Sequence, residues 1–285
     1  MRIYTRLKIY IPLICLLIIY GLSAQNKTKG NTLPFDFVLV PAGEFTYGQD
    51  AHHLHLAYDF KIMKYEVTNM QYVKFLNAKM ALNEIYIDAG VVEGAYDGDS
   101  RISPGTYVYL DMKGQDSECK VFYKNGKFGI EPGFETHPVV DVTWFGANAF
   151  ARDYQCRLPT EEEWEKAARG NTGWNFPWGD QADQSHANYF DSGDPYDNGT
   201  TPVGYYNGSK YGGFQTTDSP SPYGAYDLAG NVWEWTNSFY SATSEHRVIR
   251  GGSWGYSTFV LPSWVRFNGF PYQGPQVGFR LVKIY

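Results

Sequence analysis

Asp227 and Glu234 are the carboxylates of greatest chemical interest in this chain, both inside residues 221–235, SPYGAYDLAGNVWEW. The stretch mixes aromatics with glycines, and only residues 232–235 hint at alternation, so neither an amphipathic helix nor an ordinary half-buried strand accounts for it. Glycines there mark backbone in unusual conformations or in close contact. The segment reads as a buried turn whose backbone must be held, and an ion held by Asp227, Glu234 and carbonyls between them is one candidate.

Other candidates are weaker. His52, His53 and His55 cluster, yet no carboxylate or cysteine accompanies them at metal-site spacing. Glu161, Glu162 and Glu163 are explained by helix capping and the helix dipole before catalysis is needed. Cys119 and Cys156 either pair in an oxidising compartment or stay as free thiols. No serine-histidine-aspartate order, phosphate-cradling glycine loop or zinc spacing adds an enzymatic signal. A net charge of -6 gives no electrostatic case for nucleic acid.

The elements that must position these residues are few. Residues 37–45, FVLVPAGEF, read as a strand that turns at 41–43 and returns as a hairpin. Thr68 with Gln71 forms a capping box for a helix of about nine residues whose apolar face is Met70, Val73, Phe75 and Leu76. Thr143 caps a second helix from Trp144, and Thr160 with Glu163 caps a third that stops at Gly170. Residues 78–134 have no strong helical period and read as an insertion with short strands and a hairpin turn at Asn125-Gly126. Beyond Gly170 the chain is aromatic, glycine-rich and acidic loop, which stays ordered only if its backbone groups find partners. Residues 276–282 close it as a terminal strand.

Residues 1–24 carry basic Arg2, Arg6 and Lys8, an apolar run too short for the ~20 residues that span a bilayer, and a small-residue site before Gln25. They are read as a secretory signal peptide, leaving residues 25–285 as one domain with no transmembrane segment. The expected location is exported: periplasmic, cell-surface or secreted.

The order of motifs resembles the formylglycine-generating enzyme, or sulfatase-modifying factor, family. The pieces are FVLVPAGEF, KYEVTNMQYVKFLN, HPVVDVTW, CRLPTEEEWEKAARG, FPWGD, ANYF, TPVG, YGAYDLAGNVWEW, VIRGGSW and VGFRLV. The resemblance implies a single α+β domain with little regular secondary structure, related to the C-type lectin fold. It implies calcium held by the Asp227 side chain, the Gly230 and Val232 carbonyls and the Glu234 carboxylate; the opposing reading is a dry turn with Glu234 paired to an arginine. A second ion would begin at Asn188 and the Tyr189 carbonyl, with Asp194 or Asp197 completing it.

The family's oxidases use two cysteines after the motif matching GGSW to bind copper and the substrate thiol. Tyr256 and Leu261 stand at those positions, and neither binds a soft metal as a thiolate does. No catalytic residue and no copper are therefore assigned. Extracytoplasmic branches that have the fold without the cysteine pair match best. They imply a calcium-stabilised binding or assembly protein of the bacterial cell envelope, with Trp254, Tyr256, Trp264 and Arg266 in a groove for an unknown protein, peptide or glycan partner. The alternative is a protein-modifying oxidase using different residues.

Overall fold

A computed structural model describes residues 35–284 except 115, 116, 197, 273 and 275. The chain runs β1 (Phe37–Val40), β2 (Gly43–Tyr47), β3 (His52–Leu56), β4 (Phe60–Met63), α1 (Asn69–Ala81), β5 (Ile85–Asp88), β6 (Val91–Tyr96) and β7 (Gly105–Asp111). There follow β8 (Val121–Lys124), β9 (Lys127–Ile130), α2 (Trp144–Asp153), α3 (Glu161–Arg169), β10 (Lys210–Tyr211) and β11 (Phe214–Gln215). Last come β12 (Trp233–Phe239), β13 (Arg247–Arg250), β14 (Arg266–Gly269), β15 (Val277–Gly278) and β16 (Val282–Lys283).

Helices α1, α2 and α3 begin where their caps place them. Thr68 and Thr160 each accept the N3 amide, and the N3 side chain, Gln71 or Glu163, returns the bond to the cap. Thr143 accepts from the Gly146 amide at 3.2 Å. Helix α1 is longer than its apolar pattern suggests, because Lys79 in its last turn is held between Glu84 and Asp153. Met70 faces outward, and Tyr72 takes its place on the buried face.

The sheets are small and tied together by distant segments. Strand β1 pairs with β4, which also pairs with β16, while β2 pairs with β3. The hairpin expected across residues 37–47 is therefore absent: each of its arms finds a different partner, so the turn at 41–43 is a corner between two sheets. The terminal strand is likewise split, β15 running parallel to β12 and β16 antiparallel to β4. Residues 78–134 are not a loose insertion. They build the β5-β6-β7 sheet and the β8-β9 hairpin, and the Tyr107 ring stacks on Phe145 of α2 at 4.1 Å. Arg101 and Arg247 sandwich the Phe239 ring at 3.8 Å each, pinning the 97–103 loop to β12 and β13.

The core lies between α1, α2 and the terminal segment. Phe150 packs Tyr72, Phe75 and Phe279 with centroids 5.3–5.7 Å apart. Trp164, Trp233 and Trp235 are buried. Cys119 and Cys156 are free thiols. His52, His53 and His55 lie on β3, and no group of three or more His, Cys, Asp or Glu among the described residues stands close enough to share a metal ion. No helix among the described residues is long and apolar enough to cross a membrane, and residues 1–24 lie outside them.

A buried carboxylate cluster and an aromatic cleft on one strand

Strand β12 positions both regions of interest because a strand sends alternate side chains to opposite faces. Trp233 and Trp235 face a cleft, and Glu234 between them points into the domain toward α3.

Inside, Glu234 is fully occupied. Its Oε1 accepts from Arg280 Nη2 at 2.7 Å, and its Oε2 accepts from Arg280 Nε at 2.7 Å and Trp164 Nε1 at 2.8 Å. Arg280 spends its remaining donors on the carbonyls of Met63, Lys64 and Tyr226. Both side chains are entirely buried, so this is a closed, bidentate pair with its hydrogen-bond capacity used. The arginine-paired reading of Glu234 describes this contact.

The turn before it is built from left-handed residues. Asp227, Gly230 and Asn231 have φ of +58°, +85° and +60°. Gly230 is required twice over, since a Cβ there would also lie 2.3 Å from the Asn188 carbonyl oxygen. Asp227 Oδ2 accepts from the Gly204 amide at 2.6 Å, and burial pushes its carboxyl up to about 6. Asn231 knits the neighbourhood together. Its Oδ1 accepts from the Thr201 amide at 3.0 Å, and its Nδ2 donates to Glu66 Oε2 at 2.7 Å. The other Glu66 oxygen is buried and has no partner. Burial first, then the charges of Asp227 and Glu234, push the Glu66 carboxyl well above the ordinary carboxylate range.

At the expected second site, the Asn188 carbonyl accepts from the Asn231 amide at 2.8 Å, and the Tyr189 carbonyl accepts from the Ser192 amide at 3.0 Å. Asp194 turns inward to its own loop, accepting from Ser192 Oγ at 2.7 Å, the Tyr196 amide at 2.7 Å and Tyr206 OH at 3.1 Å. Asp197 lies outside the described residues.

On the other face of β12 is a cleft of about 290 Å³ lined by Trp233, Tyr256, Phe267, Phe270 and Gln276. Trp233 meets Tyr256 edge-on at 5.7 Å and Phe267 at 5.6 Å. Tyr256, Phe267 and Phe270 are exposed, so the rings form an open apolar wall. Of the four residues the sequence nominated, Tyr256 alone lines this cleft. The Trp254 amide donates to the Asn231 carbonyl, and its indole N–H is buried without a partner. Trp264 donates to Asn175 at 3.3 Å. Arg266 neighbours Phe267 on β14 and so faces away from the ring wall, where it holds Glu161 through two bonds of 2.9 Å.

Leu261 is fully buried, so the positions matching the two cysteines carry an exposed phenol and a core leucine. Neither remaining cysteine lines the cleft. Burial pushes the Cys119 thiol up to about 12 and raises that of Cys156, the reverse of what a reactive thiolate needs. A larger cleft of about 620 Å³ lies between α1 and α2, but its charges are matched internally: Lys79 with Glu84 and Asp153, Arg152 with Asp97.

Sequence reasoning missed Glu66, Arg280, Phe267, Phe270 and Gln276. A lone arginine in the apolar run VGFRLV, and a lone glutamate just before the Thr68 cap, were the available signals for a buried pair.

Among relatives, mouse "Inactive C-alpha-formylglycine-generating enzyme 2" is 30% identical over 262 residues, 84% of this chain and 80% of the mouse protein. The Chlamydia caviae protein named "Serine/threonine-protein kinase pkn1" is 32% identical over 260 residues, 82% of this chain but 35% of its own length. The chain thus spans about a third of the first curated relatives it matches. The solved structure titled "Crystal Structure of CarF" superposes with a TM-score of 0.58 at 25% identity, over 89% of this chain and all of that one. Residues 23–284 match the family described as "Sulfatase-modifying factor enzyme 1-like domain", and the chain belongs to that family, that of the formylglycine-generating enzyme.

Proposed function

We propose that this is an exported, calcium-stabilised binding or assembly protein of the bacterial cell envelope that captures an apolar peptide segment in the aromatic cleft, without formylglycine-generating activity. The observation that carries the reading is the pair Tyr256 and Leu261: one is a ring on the cleft wall and the other is core, so no thiolate is offered to copper or to a substrate cysteine. The relative named inactive supports it as a family precedent. The wall favours a peptide over a glycan, because it is ring surface with few hydrogen-bonding side chains, and aromatic anchors dominate protein contacts. The leader in residues 1–24 supports export, and the buried carboxylates of Asp227 and Glu66, the latter with one oxygen unpartnered, support calcium.

Two assays test this. Purified protein incubated with copper, oxygen and a sulfatase-type cysteine peptide is expected to give no aldehyde mass shift; turnover there restores the oxidase alternative. Envelope peptides cross-linked to the wild type are expected to be lost from Tyr256→Ala and Phe267→Ala. Unchanged capture, or glycan binding that ignores both rings, refutes the peptide cleft.

A further inference from the structure

We propose that the cleft between α1 and α2 binds a free α-amino acid with an apolar side chain, by exchange with the ion pair between Arg152 and Asp97. The cleft shares no lining residue with the aromatic cleft on β12. Most of its lining comes from residues 78–134, a stretch that none of the family motifs covers.

The cleft has an apolar floor and a charged rim. Phe75, Ile85 and Tyr109 line it and are buried, while Glu84, Asp97 and Arg152 have side chains more than half exposed. The Tyr109 ring has its place because Gly94 carries no side chain; a Cβ there would lie 2.5 Å from it. Burial pushes the Tyr109 phenol up to about 12, and the charges of Lys79, Arg152, Asp97 and Glu84 all act on it, so cations and anions converge on one ring. The volume of about 620 Å³ falls in the range of small-molecule sites.

The two sets of ion pairs differ in how firmly they are held. Asp153 ends α2 at the negative end of the helix dipole, where an acid is unfavourable, and Lys79 offsets it at 2.5 Å. These two side chains are only 19% and 21% exposed and form a fixed inner wall. Arg152 and Asp97 meet at 2.6 Å with side chains 57% and 72% exposed, a pair that contributes little to stability and can be parted at small cost. What parts it is decided by charge complementarity. A simple anion on Arg152 leaves Asp97 without its partner, and a simple amine on Asp97 leaves Arg152 without its own. A ligand with both charges on one carbon replaces both halves together, its carboxylate on the guanidinium fork and its ammonium on Asp97. Adjacent charges suit two side-chain ends that now touch, which selects an α-amino acid over a longer zwitterion. Its side chain then covers the buried floor. Asn83 lines the same cleft, and no hydrogen bond reaches its side chain among the described residues, so its amide is available to the ligand.

The test is calorimetric titration of the purified protein with free leucine and free phenylalanine, beside N-acetyl-leucine and leucine amide. The free amino acids are expected to bind, and the two blocked forms, each lacking one charge, should bind more than about tenfold more weakly. Arg152→Gln and Asp97→Asn change exposed side chains and should each weaken leucine by more than about tenfold, while Tyr256→Ala should titrate like wild type. Blocked forms that bind as well as leucine overturn the zwitterion. Unchanged binding in Arg152→Gln or Asp97→Asn, or its loss in Tyr256→Ala, overturns the placement, and a wild type that binds neither amino acid at millimolar concentration overturns the proposal.

Discussion

Replacing Arg280 with methionine exposes how much of the domain hangs on one ion pair. Arg280 and Glu234 are both fully buried and meet at 2.7 Å through two nitrogens. Removing one partner of such a pair leaves an uncompensated buried charge, which costs about 3–5 kcal/mol. The loss belongs at the upper end here, because Asp227 and Glu66 add to the negative field and three backbone carbonyls lose their donor. For a domain of this size each kcal/mol moves the melting temperature by about 2–4 °C, so a fall of roughly 6–20 °C is expected. The assay is calorimetric melting at neutral pH with chelator present throughout. Arg280→Met combined with Glu234→Leu should be clearly less destabilised than the sum of the two single changes, because the second removes the stranded charge. A single-variant loss below about 1 kcal/mol, or strict additivity in the double variant, refutes the picture of a closed buried pair.

Asp141 is buried, accepts from the Glu118 amide at 2.8 Å, and is pushed up to about 6 by burial. Its contribution is fully present below the unfolded value near 4 and is lost as pH rises through 6, so Asp141→Asn should remove on the order of 2–3 kcal/mol of pH dependence across that window in urea titrations. His137 has the opposite sign: burial lowers it to about 4, so the stability it contributes above pH 6.5 is lost as pH falls toward 4, and His137→Gln should flatten acid melting curves there. Gly230→Ala combines a +85° φ with a 2.3 Å approach to Asn188 and should cost more than about 2 kcal/mol in equilibrium unfolding. Thr160→Ala removes one arm of a capping box and should cost about 1 kcal/mol by the same measurement.

What was legible in the sequence follows the range of the forces involved. The helix starts were readable because a cap and its N3 partner lie three residues apart, as at Thr68-Gln71 and Thr160-Glu163. The Asn125-Gly126 turn was readable for the same reason. The corner at 41–43 was not, because β1 and β2 choose partners from outside the stretch that looks like their hairpin. Glu234 could be seen as a carboxylate in need of a partner, but Arg280 lies 46 residues away and Glu66 sits before the first helix. The groove residues came out mixed because Arg266 and Phe267 are neighbours in sequence yet occupy opposite faces of β14.

Strand β12 carries a consequence that neither of its faces shows alone. One residue on either side of Glu234 stand the two indoles of the cleft, so any shift of the strand that loosens the Arg280 contact also reshapes the ring wall. Thermodynamic reciprocity then applies: to whatever extent the seated strand tightens the hold on a guest at the ring wall, the guest must favour the seated strand by the same factor. The fluorescence of Trp233, one residue from the buried pair and itself on the cleft wall, would report either change.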